Sequence, residues 1–262
     1  MSSSPVQTTP AAPQVASSGG LKKVLAALIG IPLALLVVAA VVSLQAESVT
    51  EQQRQEVARA GGKSELVRVV PAWLSGIFGS EFHTFLDQTT ITKVTMQGDR
   101  INDEKVAEIL AVPTLEILEL DNCPVTSACL PSIAKLTSLR FLTLSETQVT
   151  DISALAVLPN LYRLDLSFSK TRDADLSSLS QFPSLRAINA RGLMVTDKGV
   201  EEIAKCVNLE QVGLTGSKLS PTGLRPLQGL KNLKKVSLLQ AIYDGGDLAA
   251  LTAALPECKV DQ

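Results

Sequence analysis

The sequence predicts an α/β solenoid, with parallel strands on a concave face and helices on the convex face. An apolar N-terminal segment precedes it. Three observations carry this. A fourteen-residue string, seen in SLRFLTLSETQVTD from Ser138, recurs from Thr90, Thr114, Asn160, Ser184, Asn208 and Asn232. The starts are 24 residues apart except for one step of 22, from Ser138 to Asn160. Each copy opens on alternating aliphatic residues and passes into apolar residues at helical spacing. One strand and one helix per short period cannot bury their own leucines, so neighbouring copies must stack.

Within a copy the aliphatic alternation sends Leu118 and Leu120 to the core and Ile117 and Glu119 to solvent. Helices follow, as read from Leu176, Leu179 and Phe182, and from Leu224, Leu227 and Leu230. Asp103, Ser127, Asp151, Asp173 and Asp197 stand where helix N-caps are wanted. The solenoid is expected over 90–262, because Leu255, Cys258 and Val260 repeat the strand spacing once more as an edge strand.

Ahead of the copies the composition changes four times. Residues 1–20 are uncharged Ser, Thr, Pro, Ala and Gly, the composition of a disordered tail. Lys22 and Lys23 introduce Val24–Leu44, which has no charge over 21 residues, so 21–45 is expected to be a membrane helix. A secretory h-region is usually shorter, about 7–15 residues, and Leu44-Gln45-Ala46 lacks the first small residue of a cleavage site, which favours an uncleaved anchor. Positive residues stay cytoplasmic. With Glu47 and Glu51 the first charges beyond the span, the tail is expected inside and the copies outside the cytoplasm, at the cell membrane. Residues 46–63 read as a solvated juxtamembrane helix ended by Gly61–Gly62. Residues 64–89 gather Val67, Val69, Val70, Trp73, Leu74, Ile77, Phe78, Phe82 and Phe85, and are expected to be a mostly helical N-terminal cap over the exposed end of the stack.

Composition excludes several function classes. The formal charge is −2, and the part after Leu44 carries 22 basic and 26 acidic residues, so nucleic acid is not an expected partner. His83 is the only histidine, which leaves no Ser-His-Asp or Cys-His set without it and no catalytic residue to name. No C-x-x-C pair occurs among Cys123, Cys129, Cys206 and Cys258, so neither a metal nor a cofactor is expected. Strands stack about 4.8 Å apart, which puts most cysteine pairs beyond disulfide reach; only Cys123–Cys129 stays open, and four unpaired thiols acting as small apolar fillers are expected. Paired carboxylates at Glu119 and Asp121, and at Glu146 and Asp165, read as a solvated face without a cleft. The second strand position offers cross-strand ion pairs, Glu116–Arg140 and Arg186–Glu210–Lys234.

The copies resemble leucine-rich repeats, from Thr90 to the end. Val149-Thr-Asp151, Val195-Thr-Asp197 and Cys206-Val-Asn-Leu209 resemble the cysteine-containing class, and the 22-residue copy with Asp151-Ile-Ser resembles the internalin type. With an apolar span and a Trp-containing cap, the whole resembles bacterial membrane-anchored leucine-rich-repeat proteins. The resemblance implies a horseshoe or arc and non-catalytic protein binding, here to an unidentified protein or other envelope partner near the membrane. It is also compatible with a substrate-recognition subunit of an enzyme complex, such as a ubiquitin-ligase receptor, or with an enzyme inhibitor; no recruiting domain precedes the repeats. One departure from the family is the inward turn position, usually Asn or Cys, which is here Asp99, Cys123, Thr147, Ser169, Leu193, Ser217 and Ala241.

The candidate partner site follows from outward apolar residues on strands that otherwise show polar groups. Ile117 and Phe141 share the third strand position, Arg163 follows in the next copy, and Phe168 lies toward its turn. Glu119, Glu146 and Asp165 form the rim. Aromatic and Arg side chains are enriched in binding hot spots.

Overall fold

The computed structural model describes residues 48–69, 88–108 and 112–262. The chain divides into two units, Met1–Ala46 with Val69–Gln88, and Glu47–Arg68 with Thr89–Gln262; the described residues belong almost wholly to the second. The expected tail 1–20, the membrane helix 21–45 and most of the 64–89 cap lie outside the described residues. Among the described residues no helix is long and apolar enough to cross a membrane.

The second unit opens with helix α1 over 48–59. It ends in a Schellman pair: Gly62 N–H donates to Val57 O at 2.8 Å and Gly61 N–H to Ala58 O at 3.0 Å, with Gly61 at φ 86°. Only glycine takes that left-handed position freely. The helix was expected to be solvated, but Val57 and Ala60 are buried in the same core as the repeats. Next comes strand β1, Lys63–Val69, where a helical cap was expected. The physical reason is visible in Val67-Arg68-Val69, a β-branched alternation with the period of a strand.

The remaining strands follow one per copy: β2 (Gln88–Gln97), β3 (Ile117–Asp121), β4 (Phe141–Thr143), β5 (Arg163–Asp165), β6 (Ala187–Asn189), β7 (Gln211–Gly213), β8 (Lys235–Ser237) and β9 (Lys259–Asp261). They form one sheet in chain order, parallel from β2 to β9. The register never slips. Val94, Leu118, Leu142, Leu164, Ile188, Val212, Val236 and Val260 pair in one row. With the flanking rows, such as Leu115, Leu139, Leu161 and Leu120, Leu144, Leu166, they make one continuous aliphatic core. Cys258 faces inward just before β9, as its spacing predicts.

The connecting segments on the other side are shorter than the α-helices expected. They are α2 (Asp103–Glu108), α3 (Leu130–Ile133), α4 (Asp197–Ala204), α5 (Gly245–Ala254) and 3-10 stretches at Ser127–Cys129, Ser153–Val157, Asp173–Gln181 and Arg225–Gly229. Leu176-Leu179-Phe182 and Leu224-Leu227-Leu230 keep a strict three-residue period. That period matches a 3-10 turn, where side chains i and i+3 eclipse, better than an α-helix.

The expected N-caps act between copies instead. Asp103 Oδ1 accepts from Thr126 N–H at 2.7 Å, Ser127 Oγ from Thr150 N–H at 3.0 Å, Asp173 Oδ1 from Thr196 N–H at 3.2 Å and Asp197 Oδ1 from Ser220 N–H at 2.9 Å. Each is a stitch to the following copy. Only Asp151, in the short copy, accepts from its own segment, at Ser153 N–H. The turns are also held without their side chains: Leu193 and Ala241 donate their N–H groups to Ala190 O and Leu238 O.

Candidate protein-binding face

One face of the sheet packs on the core and the other is open, and every predicted site residue lies on or beside the open face. Pairing places Ile117, Phe141 and Arg163 opposite one another on β3, β4 and β5. That row continues through Ala187, Gln211, Lys235 and Lys259. A parallel row runs Thr95, Glu119, Thr143, Asp165, Asn189, Gly213, Ser237 and Asp261.

Above the strands each copy turns on one left-handed residue. The column is Gly98, Asn122, Glu146, Phe168, Gly192, Gly216 and Gln240, with φ between 49° and 102°. From Asn122 to Gly216 each of these residues donates its N–H to a carbonyl of the next copy, for example Glu146 to Ser167 and Phe168 to Arg191, both at 2.8 Å. Glu146 and Phe168 therefore sit in the turn column on a fixed backbone.

The side chains of the predicted patch make separate contacts. Phe141 is half-buried and lies 6.0 Å from the Tyr162 ring, with the Arg140 guanidinium 5.7 Å from its centroid. Arg163 reaches the other way: its Nη2 donates to Gln211 Oε1 at 3.0 Å, two strands on, across the small side chain of Ala187. Phe168 is 46% exposed. Its ring fills the space over Gly192, where an added Cβ would come within 2.3 Å of it, and the Arg191 guanidinium stands 5.3 Å from its centroid. Ile117 is half-buried beside Phe141.

The acidic rim is anchored. Glu119 accepts from Thr95 Oγ1 at 2.9 Å and pairs with Lys93 at 3.4 Å. Asp165 accepts from Ser167 N–H at 2.8 Å and from Asn189 Nδ2 at 2.9 Å, with Ser167 Oγ also donating to it. The face was expected to leave carboxyl pKa values alone. Asp121 departs from this: its carboxyl is pushed above the usual aspartate value by partial burial, then by Glu119, Asp165 and Glu146. The expected ion pairs form, with Arg140–Glu116 at 3.6 Å, Arg186–Glu210 at 3.8 Å and Lys234–Glu210 at 2.7 Å. Lys234 holds the Glu210 carboxyl below its ordinary pKa.

Sequence reasoning did not single out a depression of 310 Å³ farther along the same face. Ala187 and Gly213 floor it, and Arg163, Asn189, Arg191, Gln211 and Lys235 stand around it. The signal was present as two minimal side chains in adjacent outward rows, flanked by three cations. His83, the one histidine, lies outside the described residues. Among the described residues no group of three His, Cys, Asp or Glu is placed to hold a metal. The four cysteines are buried and unpaired. Burial pushes the Cys129 and Cys206 thiols up to about 12.

No family model matches the sequence, and no curated protein matches it. Among solved structures, a leucine-rich-repeat protein of Leptospira interrogans aligns at 24% identity and a TM-score of 0.49, over 60% of this chain and 39% of that one. Internalin C2 of Listeria monocytogenes aligns at 24% identity and a TM-score of 0.44, over 65% of this chain and 80% of that one. This chain thus spans well under half the length of the Leptospira protein. The repeats are identified by their own geometry: a period of 24 residues with one step of 22, one parallel strand per copy in unbroken register, an aliphatic row at each L-x-x-L-x-L position and a left-handed turn residue in every copy give this chain a leucine-rich-repeat fold.

Proposed function

We propose that the repeats bind a protein partner through the open face of the sheet, without catalysis, and that Val24–Leu44 anchors them in the cell membrane with the N-terminus cytoplasmic and the repeats outside. The observation that carries the binding reading is the paired row Ile117–Phe141–Arg163. It sets incompletely buried apolar and aromatic surface on a backbone held by eight parallel strands. Such a surface binds with little ordering cost, because its frame is rigid before contact. The anchoring reading rests on the charge asymmetry of Lys22 and Lys23 against Glu47 and Glu51 around an uncharged run.

Crosslinking in intact cells, followed by mass spectrometry, tests both readings. The full chain should yield a discrete partner, and Phe141→Ser combined with Arg163→Ala should abolish its capture with the melting temperature nearly unchanged. Undiminished capture by the folded double variant would remove this row from the site. Protease added outside the membrane should digest the repeats; digestion of the short tail alone would reverse the orientation.

A further inference from the structure

We infer that the depression floored by Ala187 and Gly213 receives the carboxylate side chains of an acidic segment on the protein partner, a step that rests on the protein-binding reading above. Three kinds of observation support it.

The first is space. The row that carries Phe141 and Arg163 drops to a methyl group at Ala187, and the row beside it drops to hydrogen at Gly213. A Cβ at 213 would lie 2.5 Å from Asn189 Oδ1, so a larger side chain there must first move the Asn189 amide that holds Asp165. The hollow is therefore built into the packing of β6 and β7.

The second is charge left unmatched. Arg140, Arg186, Lys234 and Lys235 each pair with a carboxylate, Lys235 with Asp261 at 2.7 Å. Arg163 and Arg191 border the hollow and form no ion pair among the described residues. One guanidinium is steadied by Gln211 and the other by the Phe168 ring, and each presents several of its five N–H donors unused. The carboxylate within the hollow, Asp165, is turned to Ser167 and Asn189 and does not pair with either. Fixed guanidinium groups suit bidentate carboxylate recognition.

The third is spread. Arg163 on β5 and Lys235 on β8 are three strands apart, roughly 14 Å at about 4.8 Å per strand. An extended peptide advances about 3.3 Å per residue, so its side chains at i and i+4 cover roughly the same distance on one face. The other end of the open face has the opposite sign, where Glu119, Glu146 and Asp121 gather and the Asp121 carboxyl is held above its usual value. The acidic end of the partner is thus directed over β5–β8 and excluded from β3 and β4.

The test uses the full chain in a neutral detergent, titrated by fluorescence anisotropy with a short labelled peptide carrying glutamate at alternate positions. The glutamine version of the peptide and inorganic phosphate are the comparison ligands. The glutamate peptide should bind, the glutamine peptide should not, and phosphate at equal concentration should not displace it. Arg163→Gln with Arg191→Gln should weaken binding by about tenfold or more. Lys198→Gln with Lys231→Gln, on exposed lysines outside the strands, should leave it unchanged. Equal loss in both double variants, equal binding of the glutamine peptide, or displacement by phosphate would overturn the inference. So would retention of the crosslinked partner by Arg163→Gln with Arg191→Gln, an outcome that leaves the protein-binding reading itself standing; loss of every crosslinked partner by the unaltered chain would instead defeat that reading.

Discussion

The stitch between Asp173 and the following copy can be isolated by a double-mutant cycle with Gly199. Asp173 Oδ1 accepts from Thr196 N–H at 3.2 Å, and Thr196 Oγ1 donates to Asp173 Oδ2. The same Oδ1 occupies the space beside Gly199, where an added Cβ would approach it to 2.2 Å and Val195 Cγ1 to 2.6 Å. Asp173→Ala removes a charged acceptor at a half-exposed site where water replaces part of it, and should cost about 1–2 kcal/mol. Gly199→Ala would ordinarily gain about 0.8–1.0 kcal/mol inside a helix. Here it must displace a carboxylate and a core valine, an overpacking cost of about 1–3 kcal/mol, so it should destabilise. In the double variant the carboxylate clash is gone, and only Val195 resists the new methyl group.

The two costs should therefore fail to add, the double variant being more stable than their sum predicts by about 1 kcal/mol. Urea unfolding of the four proteins, followed by far-UV circular dichroism with matching m-values, measures this directly. Additivity within about 0.5 kcal/mol would show that Asp173 does not lie over Gly199 in solution, and the stitching account would fail.

Three further outcomes follow from the same structure. Leu142 and Leu164 are fully buried neighbours in the central row, and truncating either to Ala should cost about 2–5 kcal/mol in urea unfolding; less than about 0.5 kcal/mol at both would show a wrong register. The four buried thiols should resist iodoacetamide in the folded chain at mildly alkaline pH and all react in urea, because the thiolate is the nucleophile and burial raises the pKa of each. A mass gain of two protons on reduction would establish a disulfide instead. The Asp121 carboxyl binds its proton more tightly when folded, so the stability it lends is fully present below its ordinary value of 3.8 and lost as pH rises through the folded value. Asp121→Asn should unfold at a higher temperature than the unaltered chain near neutral pH, with the gap closing below that value; a gap of opposite sign at neutral pH would refute the repulsion at this carboxyl.

What the sequence made legible was everything that repeats. Leucines at fixed spacing define the core rows, the period defines the pairing partners, and the pairing then fixes which charges meet, so spacing alone matches Arg186, Glu210 and Lys234. What it concealed depended on neighbours in the next copy. An aspartate before a helix reads as an N-cap because capping is local, yet at Asp103, Asp173 and Asp197 the donating amide is 23 residues further on. Likewise Val67 and Val69 show the period of a strand, but the apolar crowd around them matched a helical cap equally well. The row of Ile117, Phe141 and Arg163 was correctly aligned, whereas the directions of its side chains depend on Tyr162, Ala187 and Gln211, which no spacing rule selects.

The turn column puts a left-handed backbone on three side chains that do not favour it. Gly98, Gly192 and Gly216 accept a left-handed backbone freely, and Asn122 with little strain. Glu146, Phe168 and Gln240 adopt it at a cost of about 1–2 kcal/mol each. For Phe168 the ring lies on Gly192 in the next turn, a position that any side chain at 192 would close, and it carries the Arg191 guanidinium on its face. A glycine at 168 would relieve the backbone and leave Arg191 without that support. A left-handed phenylalanine and an adjacent glycine thus together hold one cation at the border of the hollow. The repeat turn imposes the left-handed backbone at this position in every copy, and at Phe168 that fixed backbone also carries a guanidinium on an exposed face.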